Sequence, residues 1–328
     1  MKKIFIAVMA MAAFAACSNE NTIVTPQGAA IAFGDAFVDN STKAIYESAE
    51  AITGFTVFGN VVATADVATA TPVALYGDGA AVTRGGAALG AAWTCGVTRY
   101  WTPSCTFNFA AIANGTVAAN QITNGLPAEI SYTIDADDPA DLIYGVATAT
   151  TDPSCVPTGD VTNTVVKFTM SHLLSRVKVS FANALDEDAA DYRYVISGVK
   201  IVTAGSGTYD IGTTKWTPGV DADLAYSGKT YPLTLQAEAT TDCGAQLVVP
   251  TSPVDLVFTY SLELKTGADT WTPINSATIT KENVISNPTQ NYSYNVTVQL
   301  KAGAKIDFTV DATNGLTDFT NGDEVTVE

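Results

Sequence analysis

Residues 165–181 read VVKFTMSHLLSRVKVSF and carry two short runs in which apolar and polar residues alternate. The apolar members are Val166, Phe168 and Met170 in the first run and Val177, Val179 and Phe181 in the second. Successive side chains of a strand point to opposite faces of a sheet, so each run predicts a strand with one buried and one exposed face. The stretch therefore predicts sheet rather than helix.

The same alternation recurs along the chain, at residues 51–63, 106–111, 130–134, 258–264, 292–300 and 306–310. Charged residues make up only 15% of the chain, which suits strands and turns better than exposed helices. Strands with one apolar face are typical of antiparallel sheets packed as sandwiches. We therefore predict an all-β protein built from antiparallel β-sandwiches.

Residues 148–164, TATTDPSCVPTGDVTNT, interrupt the alternation with Thr, Pro, Asp and Gly. This composition is typical of a loop and predicts the connection between two domains in series, or a long loop close to it. Each part is long enough for a seven- or eight-stranded sandwich. We place an N-terminal β-sandwich at residues 44–160 and a C-terminal β-sandwich at residues 161–328.

The first seventeen residues read MKKIFIAVMAMAAFAAC, with two lysines ahead of an apolar run. This is the pattern of an export signal, and the run is too short to span a bilayer. Its end, Phe14-Ala15-Ala16-Cys17, resembles a bacterial lipobox, in which the cysteine is acylated, for instance with palmitate, and becomes the new N-terminus. Residues 1–17 therefore predict a lipoprotein signal with Cys17 as the lipidation site. The alternative is an ordinary cleaved signal with an incidental cysteine.

The charge balance restricts the partners. Lys and Arg total 16 against 33 Asp and Glu, a net charge of −17. Nucleic acid needs a basic surface, so we predict no nucleic-acid partner. The sequence has no glycine-rich phosphate loop and no nucleophile elbow, and we predict no cofactor.

Four cysteines follow Cys17, namely Cys95, Cys105, Cys155 and Cys243. An exported chain meets an oxidising compartment, where these four can form two disulfides in any of three pairings. Cys95 with Cys105 would close a hairpin-sized loop. A zinc site is disfavoured because there is no CxxC spacing and only one histidine, so we predict no metal.

The only histidine is His172, and a catalytic dyad or triad would have to use it. It continues the apolar face of the first strand of residues 165–181, which predicts a buried, hydrogen-bonded structural histidine and no enzyme. A nearby acidic set comprises Asp135, Asp137, Asp138 and Asp141. These carboxylates can gather around calcium, but Pro139 and the missing closing glutamate favour a solvated turn.

The four tryptophans are Trp93, Trp101, Trp216 and Trp271. On an exposed sandwich face they would stack on sugar rings. Trp216 and Trp271 each precede Thr-Pro, which favours packed corners instead.

Several short pieces follow one another along the chain: RYWTP at 99–103 with TFNFAA at 106–111, ISYTIDADDPADLIYG at 130–145, SHLLSRVKVSF at 171–181, GTTKWTP at 212–218, LVVP at 247–250 and NYSYNVTVQLKAGAKIDFTV at 291–310. In this order they resemble the fimbrillin-like family, the subunits and anchors of type V pili in anaerobic Gram-negative bacteria. The resemblance covers nearly the whole chain and implies two transthyretin-like or Greek-key sandwiches.

The resemblance also implies a processing scheme for residues 18–43, a propeptide with an N-terminal strand that carries Ile31 and Phe33. In the family such a strand completes the immature first sandwich, and a trypsin-like protease cuts after a basic residue that follows it. Lys43, before Ala44, occupies that place. Removal of a strand leaves unpaired backbone groups and an apolar slot, which a strand from another subunit can fill.

The candidate donor lies in the C-terminal portion, with Ile306, Phe308, Val310, Val325 and Val327 in alternation. The alternative is that these residues form the last strands of the second domain. The implied partners are other copies or related pilus subunits, the outer membrane through the lipid anchor, and a host or bacterial surface glycan or protein. The implied location is the cell surface, in a pilus after processing.

Two rival functions stay open at the level of sequence. One is a glycan-binding or pilus-anchor lipoprotein of the cell surface that does not polymerise. The other is a hydrolase, which would need acidic residues that converge in a cleft.

Overall fold

The computed structural model describes residues 28–34, 37–38, 52–86, 91–137, 139–185, 191–226, 229–235, 240–301, 305–314 and 324–326. The first fifteen strands are β1 (Ala32–Phe33), β2 (Phe37–Val38), β3 (Gly54–Ala63), β4 (Val73–Ala74), β5 (Ala80–Arg84), β6 (Trp93–Cys95), β7 (Cys105–Ala113), β8 (Ile122–Thr123), β9 (Leu126–Pro127), β10 (Glu129–Thr133), β11 (Ile143–Thr151), β12 (Pro157–Gly159), β13 (Val161–Thr162), β14 (Val165–Val166) and β15 (Thr169–His172). The remaining strands are β16 (Ser175–Ala184), β17 (Tyr192–Ala204), β18 (Ser206–Asp210), β19 (Lys215–Pro218), β20 (Asp221–Ala225), β21 (Leu233–Thr234), β22 (Thr240–Val248), β23 (Val254–Lys265), β24 (Trp271–Ile285), β25 (Tyr292–Lys301), β26 (Ile306–Asn314) and β27 (Glu324–Thr326).

Two short 3₁₀ turns, Thr64–Asp66 and Ala119–Gln121, interrupt the strands of the first half. Among the described residues, no helix has the length and apolar character needed to cross a membrane. The structure confirms the all-β prediction with several mainly antiparallel sheets.

The first half of the chain is organised around one large sheet with the strand order β2-β15-β11-β7-β3-β5-β6. A small sheet, β1-β14-β13, lies over one face of it. Apolar side chains of both sheets form a shared cluster, the N-terminal core, that includes Phe33, Phe55, Val57, Trp101, Phe107, Phe109, Val166, Phe168 and Met170. Alternation along β7 explains this cluster, because Phe107 and Phe109 point to the same face.

The second half folds as two sheets, β22-β16-β25-β26-β27 and β20-β17-β23-β24, that pack face to face. The rings of Phe181 on β16 and Phe258 on β23 meet across the gap, with centroids 5.0 Å apart. Their surroundings, the C-terminal core, include Leu173, Leu174, Val177, Val179, Tyr194, Ile196, Ile201, Tyr260, Val296, Val298 and Leu300. One neighbouring pair, β16 with β25, is parallel and joins segments far apart in sequence.

The two halves of the chain share a sheet and part of a core. Strand β10 from the first half pairs with β18 from the second, from Glu129 opposite Asp210 to Thr133 opposite Ser206. The first half also contributes side chains such as Ile112 to the C-terminal core.

The crossing between halves differs from the predicted boundary at residue 160. Within residues 148–164 the chain forms the end of β11 and then β12 and β13, and β14 and β15 also pair with strands of the first half. The composition of residues 148–164 resembles a loop because β12 and β13 are short and mostly exposed. Such strands carry little apolar alternation. The chain passes to the second half after His172.

Candidate functional site

The segment at residues 28–34 lies inside the N-terminal core rather than on the surface. Ile31 and Phe33 are each only 5% exposed, whereas Ala30 before them is exposed and Ala32 between them is half-buried. This is the two-residue period of an extended strand with one buried face. The structure thus places both residues of the predicted N-terminal strand together in one core.

The backbone of the segment is held from both sides. On one side the Ile31 N–H donates to the Arg99 carbonyl at 2.8 Å, and the Trp101 N–H donates to the Ala29 carbonyl at 3.1 Å. On the other side β1 pairs in parallel with β14, and the Gly34 N–H donates to the Val166 carbonyl at 3.2 Å. The segment therefore fills a slot whose walls are residues 99–101 and residues 164–166.

The aromatic ring of Phe33 is the largest group in the slot. Its centroid lies 6.2 Å from that of Phe55, 6.0 Å from Tyr76 and 6.1 Å from each of Phe109 and Phe168. The ring stacks on Phe168 and meets Phe55 and Phe109 edge to face. Such pairs contribute about 0.5–1.5 kcal/mol each beyond burial, so Phe33 is the anchor of the segment.

Gly28 marks a close approach of the segment to the slot wall. A Cβ atom at this position would lie 2.4 Å from the Trp101 carbonyl oxygen, closer than any side chain tolerates. Beyond the segment, the backbone of Phe37–Val38 forms β2 and pairs in parallel with β15 at Thr169 and Met170. Strands β1 and β2 thus belong to the two different sheets of the first half.

The sites predicted for lipidation and cutting, Cys17, Lys43 and Ala44, lie outside the described residues. So does Val327 of the candidate donor. Asp138 of the acidic set is likewise not described. These assignments stay predictions.

The candidate donor residues divide into two strands. Ile306, Phe308 and Val310 belong to β26, which pairs with β25 at nine positions, and Val310 is buried in the C-terminal core. Phe308 packs against Phe258 with ring centroids 6.4 Å apart. The backbone of Val325 belongs to β27, which pairs with β26 at three positions at the edge of the sheet.

His172 and Asp141 form a buried pair where the chain passes from one half to the other. Asp141 is fully buried and His172 is 4% exposed, and the His172 Nδ1 atom is hydrogen-bonded to the Asp141 carboxylate. The residues that follow the pair, Leu142 and Leu173, are also hydrogen-bonded, since the Leu173 N–H donates to the Leu142 carbonyl at 2.9 Å. Burial of His172 was expected from the strand pattern. The partner Asp141 was not, because its neighbours Asp135 and Asp137 are exposed turn residues.

The pair predicts a pH dependence of stability. Burial raises the pKa of the Asp141 carboxyl above its ordinary value, and this outweighs the hydrogen bond from His172, which lowers it. A folded pKa above the unfolded value of about 4 stabilises the fold below that pH, and the contribution is lost as pH rises through the folded pKa.

Asn at position 141 cannot release a proton, so the Asp141→Asn variant should lack this component. Urea unfolding of both proteins from about pH 4 to pH 7 measures it. The wild type should lose stability relative to the variant as pH rises. Two curves that run parallel over this range would contradict the assignment.

The cysteines lie in three places, and all four are unbonded thiols in the structure. Cys95 on β6 lies opposite Val82 on β5, and Val82 in turn lies opposite Phe55 on β3. Cys105 on β7 lies opposite Ala63, at the other end of β3. Phe55 and Ala63 are about 26 Å apart along β3, given about 3.3 Å per residue. This register disfavours the hairpin-sized bridge between Cys95 and Cys105. Cys243 is buried in the C-terminal core.

The tryptophans do not form a flat exposed platform in the part of the chain that the structure describes. Trp101 is fully buried, and Trp216 is 8% exposed and donates its ring N–H to the Leu173 carbonyl at 2.9 Å. Trp271 lies beneath the Arg193 guanidinium, 4.3 Å from the ring centroid. The packed-corner interpretation therefore holds for Trp216.

Comparison with known proteins bears on the family. The profile of the family described as fimbrillin-like matches residues 42–314. The crystal structure of a fimbrial protein from Bacteroides vulgatus is 15% identical, with a TM-score of 0.57 over 87% of this chain and 99% of that chain. The fimbrial anchor protein Mfa2 from Porphyromonas gingivalis is 9% identical, with a TM-score of 0.36 over 80% of this chain and 89% of that chain. No curated protein matches the chain.

The match to the family spans most of the chain and both sets of sheets. The structural likeness to the Bacteroides vulgatus protein shows a shared fold. The resemblance predicted from the ordered sequence pieces is confirmed, and the chain belongs to the fimbrillin-like family.

Proposed function

We propose that the chain is a non-enzymatic structural component of a surface fimbria that contributes to adhesion. It would be exported as a lipoprotein through Cys17, cut after Lys43 and joined to other subunits by donor-strand exchange. Family membership and the fold shared with a fimbrial protein support a pilus subunit or anchor role. The finer scheme depends on the chemistry of the slot.

The observation that carries the proposal is the filled slot in the N-terminal core. Residues 28–34 are hydrogen-bonded on both edges, and the segment lies in sequence before Lys43, the candidate cutting site. Its departure would expose the unpaired carbonyls of Arg99 and Val166 and an apolar cavity lined by Phe55, Phe109 and Phe168. Unpaired edge groups beside an apolar slot favour the addition of a new strand.

The donor in this scheme is β27 with the residues around it rather than β26. Strand β26 pairs at nine positions with β25 and contributes Val310 to the C-terminal core, so its removal would unfold the second half. Strand β27 pairs at only three positions and lies at a sheet edge. Its transfer costs its own chain little, and Val325 and Val327 have the alternation that the slot requires.

Such a contact is between two different surfaces, the C-terminal strand of one copy and the slot of the next. Heterologous contacts of this kind continue into an open filament unless the rotation closes a ring. A single slot and a single donor per chain are therefore enough for a stalk.

Limited trypsin treatment of the purified full chain tests the scheme. We expect a nick after Lys43, release of the segment that contains residues 28–34, and a ladder of SDS-resistant oligomers. The fragment that begins at Ala44 is identified by intact mass. A synthetic peptide of residues 315–328 should terminate the ladder by occupying free slots.

The Lys43→Gln variant is the matched control, because it removes the cutting site and leaves the slot residues unchanged. It should stay monomeric under the same treatment. A nicked chain that loses its N-terminal segment and still stays monomeric would contradict strand exchange. A chain that trypsin does not cut at Lys43 would instead support the anchor role, with the lipid and the first segment retained.

A further inference from the structure

Cys105 and Cys155 lie close together at one end of the large sheet. Cys105 is the first residue of β7, and Cys155 lies in the turn between β11 and β12. The Cys105 N–H donates to the Thr151 hydroxyl at 3.0 Å, so the last residue of β11 is fixed beside Cys105. The turn that carries Cys155 starts at the next residue.

One carbonyl joins the two cysteine segments directly. The Asp152 carbonyl accepts the N–H of Ser104 at 3.1 Å and the N–H of Cys155 at 3.1 Å. The two donor nitrogens share one acceptor, which keeps them within about 6 Å of each other. The backbone next to Cys105 and the backbone of Cys155 are thus neighbours.

The turn itself is held in one shape. The Asp152 carboxylate accepts the N–H of Ser154 at 2.7 Å and that of Val156 at 2.9 Å. Cys155 has a positive φ of 64°, a backbone conformation that residues other than glycine seldom adopt. Both cysteines are partly exposed, so an oxidant can reach them.

The other two thiols lie elsewhere in the described part of the chain. Cys243 is buried in the C-terminal core beside Tyr231, and burial raises its pKa to about 11. Cys95 lies on β6 near Tyr76. Both serve as internal controls.

We propose that Cys105 and Cys155 form an intrachain disulfide that ties together the two walls of the slot. Cys105 follows the wall at residues 99–101 by a few residues, and the turn with Cys155 leads through β12 and β13 to the wall at residues 164–166. The bond itself follows from the geometry of the two segments. The contribution of this bond to a slot that has lost residues 28–34 rests on the proposed function.

The chemistry balances with a disulfide oxidant such as oxidised glutathione. One cysteine thiolate attacks the oxidant and releases one glutathione thiolate, which leaves a mixed disulfide on the protein. The second cysteine thiolate then attacks this mixed disulfide and releases a second glutathione. Two protein thiols are oxidised to one disulfide, and one oxidised glutathione is reduced to two thiols.

The rate should increase with pH. Burial, the Asp152 carboxylate and the neighbouring Cys105 all raise the pKa of the Cys155 thiol. Only the thiolate reacts, so less of Cys155 is reactive at neutral pH than of an ordinary cysteine.

Peptide mapping of the full chain tests the bond. The reduced protein is treated with oxidised glutathione, and the remaining thiols are alkylated. No Lys or Arg lies between Cys105 and Cys155, so trypsin alone keeps them on one peptide. Additional cleavage at the aspartates between them, from Asp135 to Asp152, separates Cys105 from Cys155. Trypsin cleavage after Arg99 separates Cys95 from Cys105.

We expect one cross-linked peptide pair with Cys105 and Cys155, lighter than the two reduced peptides by two hydrogen atoms. The pair should be absent in Cys105→Ser and Cys155→Ser and present in the matched controls Cys95→Ser and Cys243→Ser. The oxidised wild type should also unfold at a higher urea concentration than the reduced wild type.

Complete alkylation of all thiols after oxidation would overturn the proposal. So would a cross-link that involves Cys95 or Cys243, or a disulfide between two chains. The result is independent of strand exchange, because the bond is measured in the uncut monomer. If a serine variant does not fold, the wild-type peptide map alone decides.

Discussion

Replacement of Phe33 by Asp is expected to lower the free energy of unfolding of the uncut N-terminal core by about 3–5 kcal/mol. Phe33 is 5% exposed and its ring contacts four other aromatic rings. The substitution removes these contacts and places a carboxylate among the apolar side chains of the N-terminal core. Ile31→Asp should act in the same direction through the second buried residue of the segment.

The cost has an upper limit set by the segment itself. If the buried charge costs more than docking contributes, residues 28–34 leave the slot and the rest of the core stays folded. The measured loss then equals the free energy with which the segment docks. Phe33→Asp with Ile31→Asp should therefore cost less than the sum of the two single substitutions.

Ala30→Asp is the matched control, since Ala30 lies on the same segment with its side chain exposed. It should change stability by less than about 0.5 kcal/mol. Native-state hydrogen exchange of the β7 amides reports the N-terminal core, and the β25 amides serve as an internal reference in the C-terminal core. Equal protection of β7 in Phe33→Asp and in Ala30→Asp would mean that the segment does not stabilise the core.

The Phe33→Asp variant also distinguishes a purely structural role of the segment from a role in strand exchange. An emptied slot in Phe33→Asp should bind the peptide of residues 315–328 without any trypsin treatment. Binding would restore the protection of β7, because a ligand stabilises the state to which it binds. Lost protection without peptide binding would leave the segment structural and remove the support for strand exchange.

Alternation in the sequence predicted most of the long strands. Val177, Val179 and Phe181 are buried on β16, and Val296, Val298 and Leu300 are buried on β25, because a half-buried strand has a local period of two. Burial of Ile31 and Phe33 followed from the family resemblance and the same local pattern.

Pairing between distant strands was not predicted. Nothing near Arg176 indicates that β16 runs parallel to β25, more than one hundred residues later. Likewise β14 and β15 belong to the first half because they pair with β1 and β11, and β13 because it pairs with β14, not because of their composition. Partner choice depends on the surfaces of the assembled sheets, which a local pattern does not contain.

The charged partner of His172 was missed for a related reason. Asp141 stands in a run of acidic residues, and composition predicts that such a run is solvated. Its position two residues before β11, beside the end of β15, buries it instead. Only the register of β11 with β15 distinguishes Asp141 from Asp137.

The substitution His172→Ala is expected to cost about 3–5 kcal/mol at neutral pH, since it leaves the Asp141 carboxylate fully buried without its histidine partner. The effect should reach both halves of the chain. Asp141 precedes β11 of the large sheet, and His172 is followed by Leu173 and Leu174 of the C-terminal core.

A double replacement separates the loss of the pair from the loss of packing. His172→Leu with Asp141→Leu removes both polar groups and keeps apolar volume, so it should be less destabilising than His172→Ala alone. Asp137→Asn, an exposed change in the same acidic run, should be within about 0.5 kcal/mol of wild type. Urea unfolding measures all three variants. If His172→Ala matched Asp137→Asn, the pair would not stabilise the junction, and the two halves would be joined by the sheet of β10 with β18 and by the shared apolar core alone.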